Sequence, residues 1–202
     1  VSSGVYDSSD GQISVMESQA PHTTRSLMTF PAVATGAHTP FYPSLHWLPD
    51  ESALLVAIPD ADLIYAEASS SGPPVNLWRL PVDPDLAPEL LGEVPASFFG
   101  LPRWSDDGQW LSYVQRQPTS NRFDSVIANQ DGSNAQIITS GDAGTLQAPE
   151  WITGSAHFWY AQTQAGQVYV GSPGTAPERP SDALMLTPRF ISPDQVVYVT
   201  VD

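Results

Sequence analysis

Short runs of apolar and β-branched residues, separated by polar turns, recur along this chain. They are clearest over residues 101–139, where each half holds two such runs joined by a turn that contains Asp-Gly. Asp-Gly between apolar runs is a strong hairpin signal, because glycine reaches positive φ without a Cβ clash. Two hairpins in series predict a four-stranded antiparallel sheet of about forty residues, the size of one propeller blade.

Copies of this pattern occur on both sides of that stretch. We assign the repeats to residues 43–94, 101–139, 147–180 and 184–202. A large aromatic residue closes the first run of each copy, and these residues are Trp47, Trp104, Trp151 and Phe190. A packed aromatic side chain buries about 150–250 Å², and modules that stack need large apolar groups at equivalent positions. We therefore expect the four aromatic residues to form a structural core between neighbouring sheets.

The two ends of the chain complement each other. Residues 5–30 have the pattern of a second hairpin without a first, and residues 184–202 that of a first hairpin without a second. Joined in space they would complete one sheet and remove two unpaired strand edges, which otherwise favour association. On this interpretation residues 1–202 form a single β-propeller domain. The alternative is that the chain is a piece of a longer propeller, in which case the complementary half-repeats at its two ends are accidental.

The composition also favours an all-β chain. The 202 residues include 20 Pro and 14 Gly, which favour turns over long helices. No window shows a sustained apolar repeat with the helical period. A hydrophobic content of 41% is sufficient for a packed interior.

The net charge and the absence of cysteine exclude several classes of partner and chemistry. The net charge is −15, and the seven basic residues are all arginine. An acidic surface repels phosphate backbones and anionic headgroups, so no nucleic-acid partner is predicted. No apolar run approaches the length of a membrane span, and no leader pattern begins at Val1, so no membrane insertion is predicted. Disulfides and thiol catalysis are excluded, since the chain has no cysteine.

Two motifs within residues 101–139 carry a family resemblance. Pro-x-Trp-Ser-x-Asp-Gly begins at Pro102, and Asn-x-Asp-Gly-Ser-Asn begins at Asn129, followed by a closing Ile138-Thr139. These motifs resemble the TolB-type WD-like β-propeller repeat. The resemblance implies an all-β propeller, or partial propeller, of four-stranded antiparallel blades, with about four blade-equivalents in this chain.

The blade count leaves the closure of the ring open. Propellers of this type usually close with more blades than are visible here. A fragment of a larger propeller and two chains that complete one ring are both consistent with the sequence, and we expect a homodimer if the ring is incomplete. The lysine-free composition, rich in Ser, Thr, Pro and Gln, favours an extracytoplasmic protein, periplasmic or secreted, exported from a bacterial cell.

The residue before each repeated aromatic is polar or charged; these residues are His46, Arg103, Glu150 and Arg189. In a propeller, equivalent positions of the innermost strands converge around the central channel. Exposed ion pairs contribute only about 0–1 kcal/mol each, so stability alone is a weak reason for them. We interpret the four residues as a ligand-binding set at the channel mouth, suited to an anionic or polar ligand. Ion pairing across the channel is the alternative.

Two aromatic pairs lie between repeats, Phe98-Phe99 and Phe41-Tyr42. Aromatic residues on loops can anchor a protein partner, because interface hot spots favour them. Filling of the space between blades is the alternative. We treat Phe98 and Phe99 as a weak partner-binding prediction.

No metal site and no cofactor are predicted. Residues 7–17 resemble part of an EF-hand loop, but the first ligand position would be Tyr6, which has no carboxylate. The aspartates near positions 60 and 106 are typical of turn capping. The four histidines follow no metal-ligand spacing; they are His22, His38, His46 and His157.

Motifs for catalysis are absent as well. The sequence has no Gly-x-Ser-x-Gly elbow, no Gly-rich phosphate loop and no His-Glu-x-x-His. We predict a non-catalytic binding or scaffold module that engages a protein or a small polar ligand at the channel mouth. The main alternative is the gating propeller of a serine peptidase resembling prolyl oligopeptidase, separate from its catalytic domain. A glycoside hydrolase with paired carboxylates is a more distant third reading.

Overall fold

The computed structural model describes residues 10–19, 21–35, 39–40, 43–60, 74–97, 100–142, 145–162, 166–182 and 185–200. The strands in these residues form six antiparallel sheets, and no α-helix occurs among them. The all-β prediction is confirmed.

The first two sheets are short hairpins. In the first, β1 (Gly11–Met16) pairs with β2 (Thr24–Phe30). In the second, β3 (Ala34–Thr35) pairs with β4 (Thr39–Pro40).

Two complete four-stranded sheets follow. One contains β5 (Leu45–Trp47), β6 (Ala53–Pro59), β7 (Val75–Pro81) and β8 (Glu89–Val94). The other contains β9 (Arg103–Trp104), β10 (Trp110–Arg116), β11 (Arg122–Asn129) and β12 (Gln136–Asp142). In both, neighbouring strands follow chain order. The four-stranded meander predicted over residues 101–139 is therefore present.

The last two sheets have fewer strands. A three-stranded sheet contains β13 (Glu150–Trp151), β14 (Phe158–Gln162) and β15 (Gln167–Gly171). A single antiparallel bridge between Val170 and Glu178 takes the place of its fourth strand. The final sheet is a hairpin of β16 (Leu186–Ser192) and β17 (Gln195–Val199).

The repeated aromatic residues occupy equivalent places in four successive sheets. Each lies on the first strand, opposite a residue near the start of the second strand. The pairs are Trp47 with Leu54, Trp104 with Leu111, Trp151 with Phe158, and Phe190 with Val196. This shared register supports the interpretation that the hairpins are copies of one module.

The turn after the first strand is closed in the same way in three of these sheets. A backbone N–H donates across the turn in each: Leu48 N to Ala53 O, Ser105 N to Trp110 O, and Ile152 N to His157 O, at 2.9–3.0 Å. The chain is left-handed at Gly108 (φ 69°), as the Asp-Gly motif predicts, and at Glu51 (φ 56°) in the same place.

The core lies between successive sheets. Side chains along a strand point alternately to opposite faces, and both faces of β6 are covered. On one face Leu55 and Ala57 pack with Trp104, Leu111 and Tyr113 of the next sheet. On the other, Leu54, Val56 and Ile58 pack with Ile13 and Phe30 of the first hairpin. A further cluster joins Ile127 to Phe158 and Tyr160.

Two of the sheets also approach closely through their backbones. A Cβ built on Gly92 of β8 would lie 2.2 Å from the carbonyl oxygen of Asp131. Asp131 belongs to the Asp-Gly turn between β11 and β12, so only glycine at position 92 lets that turn reach the neighbouring sheet.

The prediction that all four repeated aromatic residues are buried is wrong for Trp47. Trp104 is 5% exposed, Trp151 and Phe190 are half-buried, and Trp47 is 46% exposed. Each of the other three packs on the sheet that precedes it in the chain. On the corresponding face of the sheet β5–β8, the hairpin β1–β2 packs on Leu54 and Val56, and the Trp47 side chain stays partly exposed.

The predicted completion of one sheet by both ends of the chain is not formed. The hairpins β1–β2 and β16–β17 are separate two-stranded sheets, and no strand pairing joins them within the described ranges. Instead β1–β2 packs face to face on the sheet β5–β8, since Ile13 and Phe30 bury against Leu80 and its neighbours.

Candidate functional site

The four polar residues predicted from the sequence share one structural position. Each lies on the first strand of its sheet. It pairs with the second-strand residue one position after the one that pairs with the repeated aromatic. The pairs are His46 with Leu55, Arg103 with Ser112, Glu150 with Trp159, and Arg189 with Val197. The sequence therefore located four equivalent positions on successive first strands.

A direct contact joins two of these first strands. The indole Nε1 of Trp151, on β13, donates a hydrogen bond of 3.0 Å to the backbone carbonyl of Arg103, on β9. This contact brings Glu150, the residue before Trp151, beside the strand that carries Arg103.

The charged members of the set have no partner for their head groups among the described residues. Arg103 and Arg189 are exposed and Glu150 is half-buried. None of these three side chains makes an ion pair or a side-chain hydrogen bond with another described residue. Within the described part of the chain, the three side chains therefore do not neutralise one another.

His46 has a different environment. Burial lowers the pKa of its imidazole below the ordinary 6.5, and the Asp106 and Asp107 charges and a hydrogen bond to the Asp106 backbone partly oppose this. Its Nε2 is buried and has no hydrogen-bond partner among the residues that the structure describes. Because desolvation favours the neutral ring, His46 is an uncharged polar group at neutral pH.

Asp106 links three sheets, which the sequence did not reveal. The residue lies in the turn after β9, faces His46 of β5, and accepts a 2.7 Å hydrogen bond from the Gly154 N–H through Oδ2. Gly154 belongs to the corresponding turn of the next sheet. No local sequence signal marks this role, because it depends on how neighbouring sheets pack.

Other aspartates cap turns, as their sequence context indicates. Asp107 Oδ1 accepts hydrogen bonds from Ser105 Oγ (2.5 Å) and Gln109 N (3.0 Å). Asp131 Oδ1 accepts from the backbone N and the hydroxyl of Ser133 at 2.9 and 2.6 Å. The Ser133 bonds lower the pKa of Asp131, and Ser52 does the same for Asp50.

Asp124 is a buried carboxylate on β11. It is 3% exposed and accepts hydrogen bonds at Oδ1 from Gln117 Nε2 (2.7 Å) and Ser140 Oγ (2.6 Å). These neutral donors come from the chain next to β10 and from β12, so the carboxylate ties three parts of one sheet together. We assign it a structural role.

Several other residues singled out from the sequence cannot be placed in the structure. Phe98, Phe99, Phe41, Tyr42, His38 and Asp62 lie outside the described residues. Over the part of the chain that is described, no group of three or more His, Asp or Glu side chains is arranged to hold a metal ion. The same residues contain no helix with the length and apolar character needed to cross a membrane.

No family model and no curated protein sequence matches the chain. Among solved structures, a puromycin hydrolase mutant complexed with PGG is 18% identical, with a TM-score of 0.52 over 83% of this chain and 27% of that one. A structure from work on two prolyl endopeptidases is 16% identical, with a TM-score of 0.46 over 73% of this chain and 23% of that one. A puromycin-hydrolyzing peptidase of Mycobacterium tuberculosis is 17% identical, with a TM-score of 0.45 over 88% of this chain and 30% of that one.

The first likeness shows the fold. This chain has the fold of a β-propeller, or of part of one, with four-stranded antiparallel blades, as the sequence predicted. It spans about a quarter of the length of the puromycin hydrolase structure that it matches.

Proposed function

We propose that this chain is a non-catalytic propeller module that binds a carboxylate-bearing ligand, such as a peptide end, along its first strands. The supporting observation is that two arginines are exposed and have no acidic partner among the described residues. Acidic residues outnumber basic ones by 22 to seven, yet Arg103 and Arg189 are exposed at equivalent positions and have no carboxylate partner among the described residues. A guanidinium group is well suited to bind a carboxylate through two parallel hydrogen bonds.

Binding of short peptides tests this proposal. Each peptide is offered with a free and with an amidated C-terminus, and affinity is measured by calorimetry. We expect the free carboxylate to bind more tightly. The Arg103→Ala/Arg189→Ala double variant should lose at least about tenfold, since a hydrogen bond to a charged group contributes about 1.5–3 kcal/mol.

Arg122→Ala is the matched control, because Arg122 is an exposed arginine on a third strand. Its peptide affinity should equal that of the wild type. Equal binding of free and amidated peptides, or undiminished binding by the double variant, would contradict the carboxylate site.

A second candidate function is supported by the structural comparison. The likeness to the puromycin hydrolase covers most of this chain and a minor part of that protein. On this reading the chain is the propeller segment of a serine peptidase that gates a separate hydrolase domain. The complete reading frame around the chain tests it: we expect a hydrolase domain with a Gly-x-Ser-x-Gly elbow, and a frame without one contradicts this candidate.

Under either candidate the segment itself has no catalytic role. Incubation of the purified chain with peptide substrates should yield no product, and hydrolysis by the chain alone would contradict this.

We also propose a TolB-type repeat family and an extracytoplasmic location. The motifs at Pro102 and Asn129 support the family, and the lysine-free composition supports export. Fractionation of bacterial cells that express the complete gene should recover the protein from the periplasm or the medium. Recovery from the cytosol would contradict the location.

A further inference from the structure

One junction between neighbouring sheets carries a carboxylate beside two aromatic rings. The junction lies between the sheet β13–β15 and the hairpin β16–β17. Glu150 of β13 pairs with Trp159 of β14, so both side chains leave the same face of that sheet at neighbouring positions. Across the junction, the centroid of the Phe190 ring lies 5.6 Å from that of Trp159, with 32° between the two ring planes. Both sides of this junction therefore belong to the described part of the chain.

The position of Trp159 is buried more completely at the two preceding junctions. Leu55 pairs with His46, and Ser112 pairs with Arg103, as Trp159 pairs with the residue before its own repeated aromatic. Leu55 and Ser112 are both 0% exposed, whereas Trp159 is half-buried. Part of this tryptophan therefore remains accessible to a ligand.

The Glu150 carboxylate has no donor beside it. It belongs to a half-buried residue and makes no hydrogen bond or ion pair with another described residue. Burial removes part of the water around a carboxylate, and here no protein donor replaces that water. At the preceding junction the Trp151 indole N–H donates to the Arg103 carbonyl, but Phe190, which holds the place of Trp151 at this one, has no side-chain N–H. A donor, and best a cationic one, is what Glu150 lacks.

The two arginines of the equivalent set do not supply that cation. Arg189 is next to Phe190 in the chain, so its side chain leaves the opposite face of β16. Arg103 lies across the sheet β13–β15, on the side of Trp151, and Glu150 and Trp151 leave opposite faces of β13. Neither guanidinium group therefore shares the junction that Glu150 faces.

We propose that Glu150, Trp159 and Phe190 form a second binding site, which takes an arginine side chain of a peptide or protein partner. A guanidinium group is planar, donates two parallel hydrogen bonds to a carboxylate and stacks on aromatic rings, so it matches a carboxylate beside an indole. A metal ion matches less well, since no group of three or more His, Asp or Glu side chains in the described ranges is arranged to hold one. The net charge of −15 favours the approach of a basic partner. The site does not depend on the carboxylate site at Arg103 and Arg189.

Titration with short glycine peptides that are capped at both ends tests the site, because such peptides carry no terminal charge. One peptide contains a single arginine, and a second contains citrulline, which has nearly the same shape but no charge. Ligand-observed NMR measures the affinity, and a shift of the Trp159 indole N–H resonance locates the binding. We expect the arginine peptide to bind at least about tenfold more tightly than the citrulline peptide, because only the guanidinium group forms a charge-assisted pair.

Substitutions separate the carboxylate from the indole. Glu150→Gln should weaken binding of the arginine peptide at least about tenfold, and Trp159→Leu should weaken it about threefold, because the cation–π contact is lost. Glu93→Gln is the matched control, since Glu93 is an exposed glutamate on β8 of another sheet. Its affinity should equal that of the wild type. Circular dichroism confirms that each variant keeps its strands.

The Arg103→Ala/Arg189→Ala double variant separates this proposal from the carboxylate site. It should bind the capped arginine peptide as well as the wild type does, because that peptide has no free carboxylate. Equal binding of the arginine and citrulline peptides, or undiminished binding by Glu150→Gln, would overturn the arginine site and leave the carboxylate site standing. Absence of binding to the wild type would do the same. A capped lysine peptide that binds as tightly as the arginine peptide would overturn the assignment to a guanidinium group.

Discussion

The sheet β5–β8 and the hairpin β16–β17 begin with the same module but differ in what surrounds them. Leu55 is fully buried, whereas Val197, at the same register position, is 60% exposed. Both pair the aromatic residue with a residue near the start of the second strand, although β16–β17 has two register irregularities that β5–β6 lacks. Pairing and register are local properties of the module. Burial depends on the neighbouring sheet: the sheet β9–β12 covers Leu55, whereas no described residue buries Val197.

The largest expected effect comes from removing equivalent aromatic residues in the two environments. Trp104→Ala should lower the free energy of unfolding by about 3–5 kcal/mol, because a large buried side chain leaves a cavity. Trp47→Ala should cost less than about 1 kcal/mol, because this side chain is 46% exposed. Urea denaturation of both variants measures the difference. Equal losses in the free energy of unfolding would contradict the different burial of Trp104 and Trp47.

The close approach of the two complete sheets gives the next effect. Gly92→Ala would place a Cβ 2.2 Å from the Asp131 carbonyl oxygen, and this clash should cost about 1–3 kcal/mol. Gly174→Ala has nothing within 4 Å but sits at φ +80°, so it should cost only about 1–2 kcal/mol for the left-handed conformation. The same urea titration compares them. A Gly92 variant as stable as the wild type would mean that the sheets are not in contact there.

Protonation of His46 should destabilise the folded chain, because burial disfavours the charged ring more than the Asp106 and Asp107 charges favour it. The pKa of His46 is lowered from 6.5 in the folded protein by burial, so the unfolded chain binds this proton more readily. The stabilising contribution is complete above pH 6.5 and is lost as the pH falls from there through the folded pKa. Thermal unfolding between pH 7.5 and 5 should show this loss. It should be reduced in His46→Gln, and an identical slope in that variant would contradict the assignment.

The smallest effect concerns the Asp131 turn. The Ser133 hydrogen bonds lower its pKa from 3.8, so their contribution is present above that value and is lost as the pH falls below it. In Ser133→Ala the pKa should return toward 3.8, and acid unfolding should become slightly less steep below about pH 4. Because the group is exposed, the change should be near the limit of detection by thermal melts. A larger change in acid stability would contradict the exposed position of the Asp131 carboxylate.

Parts of this structure could be predicted because they depend on a few neighbouring residues. The Asp-Gly turns marked the hairpins, and Gly108 and Gly132 are left-handed as required (φ 69° and 84°). The residue before each aromatic could be assigned to one common position, since the module repeats. The exposure of Trp47 and the bond from Gly154 to Asp106 could not be predicted, because each joins segments far apart in the chain.

The sequence by itself determined that the chain forms repeated antiparallel hairpins, and it determined which residues hold equivalent positions in them. Those outcomes follow from alternation, turn chemistry and aromatic spacing, which act over short distances. Only the tertiary structure decided which copies are covered and that the hairpins β1–β2 and β16–β17 do not pair with each other among the described residues. The burial of a side chain depends on whether a neighbouring sheet packs on it, and the closure of a ring depends on the number of sheets. A single repeat does not encode either property.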